Sequence, residues 1–269
     1  MNRLSTWPAA LACGRSATKA CAAAFLAIPL AALPVLLAAN VAQALTADRY
    51  ALNQVAPKFA KLAQTLPVWL SRDAVQFAMG IPDAALTQVE ITQLLALQGK
   101  RTAADIGQIK REIGDLLPLF VHKAGGNAAK MPKTIDFLRQ GLRDVDYFLF
   151  AEKLRLLRPR PHQLDPRIRP CIAVPKHPSF PSGHGGEARL LALLLAQLVP
   201  NQATQLDNYA QQVGVRRELA GVHFASDTAE GVRIGTAVAQ QLISSPRFMQ
   251  LRDAARPEWP PQPVAPVRR

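Results

Sequence analysis

Ten consecutive residues, Leu190 to Val199, are apolar at every position except Gln197. Arg189 and Pro200-Asn201 bound the run, so it falls well short of the ~20 apolar residues that a bilayer crossing needs. A helix apolar on all sides must be enclosed by protein, and the rest of the chain has to supply that enclosure.

The flanking sequence reads as helical. Residues 47–65 and 67–79 carry Ala, Leu, Val and Phe at helical spacing and predict two helices joined at Pro67. Ala84–Gln98 puts Leu86, Val89, Leu94 and Leu97 on one stripe, with Asp83 as cap and Gly99 as stop. Thr102–Leu117 repeats the pattern with Ile106, Ile109, Ile113, Leu116 and Leu117. Residues 123–133, rich in turn formers, read as a loop. A long helix is expected over 134–157, ending in Arg158-Pro159-Arg160-Pro161, and an unperiodic Pro-rich connection follows to Pro181. Segments 187–199, 203–220 and 226–243 complete the set, and alternating β-branched runs that would mark strands are scarce. The expected fold class is all-α, a single-domain helical bundle over 45–256, with the tail 257–269, five of whose thirteen residues are proline, disordered.

Residues 1–44 fit a secretory signal peptide. Arg3, Arg15 and Lys19 precede a nearly unbroken apolar stretch from Ala20 to Ala39, and Ala42-Gln43-Ala44 gives a small-residue cleavage site after Ala44. Pro29 and Pro34 within the stretch disfavour the alternative, a retained anchor. The implied location is periplasmic or secreted, with no stable membrane span after cleavage. Of three cysteines only Cys171 lies beyond the leader, which excludes an intramolecular disulfide. The net charge of +13 falls to +10 without the leader's three cations and favours anionic partners. Zinc-finger spacing, a glycine-rich phosphate loop and an aromatic-interleaved basic stripe are all missing, so nucleic acid is not expected as a partner. A homo-oligomer is left open.

Before the apolar run stands Pro181-Ser182-Gly183-His184-Gly185-Gly186-Glu187. A tight turn feeding a helix aims backbone N–H groups near Gly183 outward as a seat for an anion. The hydroxyl of Ser182 and the imidazole of His184 at that seat suit a phosphate ester. Upstream, Lys153 precedes Arg160-Pro161, placing one cation on the last turns of a helix and another in extended chain, so that they can grip different oxygens of a tetrahedral anion. Downstream, Arg217, His223 and Asp227 follow at intervals of six and four residues.

Together these three blocks resemble the signature of the type 2 phosphatidic acid phosphatase superfamily, which includes bacterial class A acid phosphatases and vanadium-dependent haloperoxidases. The resemblance covers Lys153 to Asp227, about a third of the chain without its leader. It implies a catalytic set of His223 as nucleophile forming a phosphohistidine, Asp227 fixing its tautomer, and His184 as the acid that protonates the leaving oxygen. It further implies that Lys153, Arg160, Ser182, Gly183 and Arg217 hold the phosphate, and that no metal or cofactor is needed. The expected function is a secreted phosphoric monoester hydrolase acting on small phosphorylated substrates. Two alternatives share the cage: a haloperoxidase holding vanadate as cofactor, and a lipid-phosphate phosphatase at a membrane face. The signature usually carries Ser before its last Arg; here Arg216 stands in that place and reads as a solvent-facing neighbour. The loops 123–133 and 161–180 are the expected walls of the substrate pocket.

Overall fold

The structure, a computed structural model, describes residues 49–76 and 80–261. The leader, residues 77–79 and residues 262–269 lie outside these. Ten α-helices are described: α1 Pro57–Gln64, α2 Ala84–Lys100, α3 Ala103–Arg111, α4 Leu117–Lys123, α5 Pro132–Leu156, α6 Pro161–Leu164, α7 Gly183–Ala196, α8 Ala203–Leu219, α9 Ala225–Ile243 and α10 Pro246–Ala255. No strand occurs among the described residues, so the fold is all-α. None of these helices is long and apolar enough to cross a membrane.

The apolar run becomes α7, with Leu190, Leu191, Leu194 and Leu195 fully buried. Its enclosure is α9, α8 and α5. The approach of α7 to α9 is close because neither helix has a side chain at the crossing. A Cβ on Gly231 would fall on the Ser182 carbonyl oxygen, one on Gly235 on that of Gly186, and one on Gly186 would lie 2.9 Å from Gly231 O. Since His184 sits in the first turn of α7 and His223 just precedes α9, this contact sets how far apart the two imidazoles stand.

The long helix α5 crosses the other side of α7 and ends at Leu157, whose left-handed φ of 55° turns the chain out of the helix toward Pro159 and Pro161. Ser182 caps α7 by accepting from Gly185 N at 3.2 Å. The caps of α2 and α3 are Asp83, which accepts from Leu86 N at 2.8 Å, and Thr102, which forms a capping box with Asp105.

Several local expectations fail for identifiable reasons. Residues 67–76 are not helical: Val68, Trp69 and Leu70 donate their N–H groups to the buried carboxylate of Asp144 at 2.7, 3.0 and 3.0 Å, which replaces helical bonding. The segment 102–117 breaks after Arg111, and Leu117 begins a new helix with Asp115 accepting its N–H at 2.9 Å. Gly99 lies inside α2 rather than ending it. The expected stripe of α2 is also rotated: Leu86 and Val89 are exposed, while Thr87, Glu90, Ile91 and Leu94 face inward. Polar Glu90 and Thr87 are drawn in because they bind a buried guanidinium, described below. At the C-terminus α10 was not expected, and the chain stays packed through Trp259. The Trp259 indole donates to Thr134 Oγ1 at 2.9 Å and Glu258 accepts from Lys133 N and Thr134 N, clasping the start of α5. The start of the tail, through Trp259, is therefore packed, and residues 262–269 lie outside the described residues.

A Gly235→Ala substitution should overpack the α7–α9 crossing and cost about 1–3 kcal/mol in urea unfolding. Gly107→Ala, in the interior of α3 where an added Cβ meets only Arg111 Nη1 at 3.8 Å, should instead gain about 0.5–1 kcal/mol.

Candidate active site

The residues from the three sequence blocks meet at one end of the α7–α9 pair. A cavity of about 440 Å³ is walled by Gly183, His184, Glu187, Arg217 and His223, and on its other sides by Phe59, Ile113, Phe150, Ile172 to His177 and Val222. Of the two expected loop walls, 161–180 supplies residues 172–177, whereas 123–133 supplies none; Ile113 lines the cavity as well, and Gly126 lies against Met131 and Trp259.

His223 is almost fully buried and bonded on both ring nitrogens. Nδ1 lies 3.1 Å from Asp227 Oδ2 and Nε2 lies 3.0 Å from Arg160 Nη1. A carboxylate accepts and a guanidinium donates, so the ring carries its proton on Nδ1 and presents a lone pair at Nε2. Burial, with Arg160 next in weight, pushes the imidazole well below its usual range and keeps it neutral. Burial alone would raise Asp227, but Arg158 and His223 outweigh it and hold the carboxylate well below normal.

Asp227 ties the site together. It accepts from Arg158 Nη1 at 2.6 Å, from Phe224 N at 3.0 Å and from the Ser179 hydroxyl. Arg158 in turn reaches Glu90 at 2.8 Å, Thr87 at 3.3 Å and Ser226 at 2.8 Å. Arg158, at the end of the long helix, is 1% exposed and anchors the α5–α6 junction to α2 and α9. The signal that would have found it is the pair Thr87 and Glu90, polar positions that only a buried cation makes tolerable on an inward helix face.

Arg160 is held by His177 O at 3.0 Å, Val222 O at 2.7 Å and His177 Nδ1 at 3.0 Å, and burial pushes it down to about 10, still a cation at neutral pH. His177, passed over in sequence as a loop residue, is clamped between the rings of Phe59 and Phe150 and braces that guanidinium. Lys153 is fully buried, and its Nζ donates to the carbonyls of Pro178, Ser179 and Pro181. Burial and Arg160 push its pKa well down. It thereby holds the strand of chain that leads into Ser182. Arg217 lines the cavity with a single bond, Nη2 to Ile109 O at 3.3 Å, and its Nε has no partner. A buried guanidinium left this free is ready for an anion.

His184 is pinned from the far side, Nε2 lying 3.0 Å from the carbonyl of Glu112. Burial and then Arg217 lower it to about 3. Arg216 does not face solvent. Its guanidinium forks onto Glu112 at 2.7 and 2.7 Å, and Tyr209 donates to the same carboxylate at 3.0 Å. The residue that departs from the usual signature thus fixes the segment that orients His184.

A family model described as the PAP2 superfamily matches residues 145–248. A non-specific acid phosphatase of Salmonella typhi is 31% identical over 137 residues, covering 49% of this chain and 55% of that protein. An acid phosphatase of Zymomonas mobilis is 31% identical over 83 residues, 31% of each chain. The chain spans about half the length of the Salmonella relative. A bacterial vanadium-dependent iodoperoxidase structure superposes with a TM-score of 0.51 at 15% identity, covering 76% of this chain and 64% of that one, which shows a shared fold. Of the residues in the three blocks, Gly183, His184, Arg217 and His223 line the cavity, while Arg160 and Asp227 bond to His223.

Arg216→Ser, which restores the usual residue, should destabilise the protein by about 3 kcal/mol because Glu112 is left buried without its cation. Adding Glu112→Gln should recover most of the loss in a double-mutant cycle followed by urea unfolding.

Proposed function

We propose that this chain is a phosphatase that hydrolyses small phosphate monoesters through a phosphohistidine at His223. The observation that carries the reading is the pair of bonds on His223: Nδ1 committed to Asp227, and Nε2 left as the unprotonated nitrogen, its lone pair accepting from Arg160. The non-specific acid phosphatases among the relatives support the substrate class.

In this reading a phosphate ester enters the cavity with its oxygens toward Arg217, Arg160 and the N–H groups that open α7 at Gly183. Arg160 turns from Nε2 of His223 to a phosphoryl oxygen, which exposes the nucleophile at the moment substrate arrives. Nε2 bonds to phosphorus, the P–O bond to the leaving group breaks, and Asp227 stabilises the resulting charge on the ring. His184 faces the leaving oxygen. Water then attacks phosphorus, the P–N bond breaks, and inorganic phosphate leaves. Lys153 and Ser182 act from behind the cavity: one holds the 178–181 segment and the other caps α7. The apolar walls, Phe59, Phe150, Ile113 and Ile172, favour aryl or alkyl leaving groups over highly polar ones. Without its leader the chain is read as periplasmic or secreted.

The purified protein should release phosphate from p-nitrophenyl phosphate in the presence of chelator. His223→Ala should lose at least about 10³-fold in kcat, and acid-labile label from a phosphorus-32 ester should be trapped on the wild type alone. Because His223 is held below the ordinary histidine value of about 6.5, kcat/KM should not fall as pH drops from 7 through 6.5. Absence of turnover would overturn the reading, and vanadate-loaded protein would then be assayed for bromide oxidation by peroxide.

A further inference from the structure

The cations that line the cavity fall into two groups. Arg217 is buried at the inner end with His223, whereas Lys58 and Lys176 line the same cavity, are exposed, and lie outside the three sequence blocks. These two lysines stand at the mouth. They come from different stretches, Lys58 from the first turn of α1 and Lys176 from the 172–177 segment, and a bond from Ala56 N to Lys176 O at 3.0 Å joins those stretches. Among the described residues no ion pair involves either lysine. The carboxylate that lines the cavity, Glu187, belongs to the inner end, its Oε2 lying 4.0 Å from His184 Nδ1.

Between the two groups the wall is made of packed rings. Lys58 Nζ stands 4.8 Å from the centre of the Phe59 ring, and Phe59 stacks on Phe150 at 5.3 Å with the planes 7° apart. His177 meets Phe59 at 4.4 Å, and its Nδ1 lies 3.0 Å from Arg160 Nη2. One layer of rings therefore separates the ammonium at the mouth from the guanidinium that holds His223. The cation–π contact keeps the Lys58 ammonium close to the opening, and the Ala56 bond fixes the main chain of Lys176 beside α1.

An ester whose phosphoryl group sits at Arg217 and Arg160 lays its leaving group along Phe59 and Phe150 and brings its far end to the mouth. We propose that Lys58 and Lys176 form a second anion site there, and that the substrates are phosphate monoesters whose leaving group carries a further anionic group, such as a carboxylate, on an apolar spacer. This deepens the phosphatase reading of the site and rests on it. The two lysines grip the part of the substrate that does not react, so they set specificity and leave the bond-making groups as they are. Water reaches the mouth, which keeps the gain from each charge pair modest and lets salt screen it. The positive charge of the whole chain draws anions as well, so a local site is recognised only against a control that removes equal charge elsewhere.

The test uses two esters with the same phenol chemistry and different far ends, 4-(2-carboxyethyl)phenyl phosphate and its carboxamide. The wild type should prefer the carboxylate by about fivefold in kcat/KM at low salt, and the preference should shrink toward one in ~0.5 M salt. In Lys58→Gln/Lys176→Gln the ratio should drop below about twofold, and Lys58→Glu/Lys176→Glu should invert it. Lys61→Gln/Lys130→Gln removes the same charge from exposed positions that do not line the cavity and should keep the ratio. The matching phosphonates, with a methylene in place of the ester oxygen, report the same preference as a ratio of Kd by calorimetry without turnover. A wild-type ratio near one in both assays, or an equal fall in the Lys61/Lys130 control, would overturn the proposal. Turnover of neither ester, with a preference among the phosphonates that depends on Lys58 and Lys176, would instead count against the phosphatase reading and leave the second anion site standing.

Discussion

A single buried carboxylate, Asp227, holds the site in one geometry. Its oxygens receive a guanidinium from the α5–α6 junction, a hydroxyl from the 178–181 segment, a backbone N–H from the start of α9 and an imidazole N–H. These come from three separated stretches of chain, at residues 158, 179 and 223–224, and only the last adjoins the helix that carries Asp227. Burying such a charge would be prohibitive without partners, so their presence is required for folding as well as for orientation. The same bonds that stabilise the fold commit His223 to one tautomer. Stability and the choice of tautomer are thus secured by the same atoms.

Around this centre, positive charge is arranged in layers with different duties. Arg158 is spent on structure, bridging Asp227 and Glu90. Lys153 is spent on three carbonyl oxygens. Arg160 is shared between His177, Val222 and His223, and Arg217 is left nearly unbonded at the cavity wall. The cations thus become less committed from the interior toward the cavity. An incoming anion meets first the groups that have least to give up, which limits the reorganisation that binding demands.

Much of this was legible in the sequence. The apolar run at 190–199 required an enclosed helix, and the boundaries of α5, α8 and α9 came within a residue or two because Pro, Gly and helical period act locally. Of the three blocks, Gly183, His184, Arg217 and His223 line one cavity, and Arg160 and Asp227 are tied to it through His223. What escaped were the interactions whose two halves lie far apart in the chain. Residues 67–76 have helical composition, yet Asp144, some seventy-five positions away, takes their N–H groups. Glu112 and Arg216 are separated by 104 positions, and neither alone suggests the other. Arg158 looked like a surface cation because its partners Glu90 and Asp227 stand 68 and 69 residues distant. Local pattern reports helices well, whereas buried charge pairing is a property of the assembled fold.

The glycine crossing of α7 and α9 acts as a fixed ruler for the two histidines, while the cavity's far wall is made of irregular chain at 112–116 and 172–177. The part of the molecule that defines bond-making is thereby mechanically separate from the part that meets the leaving group. Side chains such as Ile113, Ile172 and Val174 are open to replacement without disturbing the spacing between His184 and His223. Under the proposed phosphatase reading, a scaffold divided in this way allows the range of esters to be remodelled one loop at a time, with the phosphorus chemistry left intact.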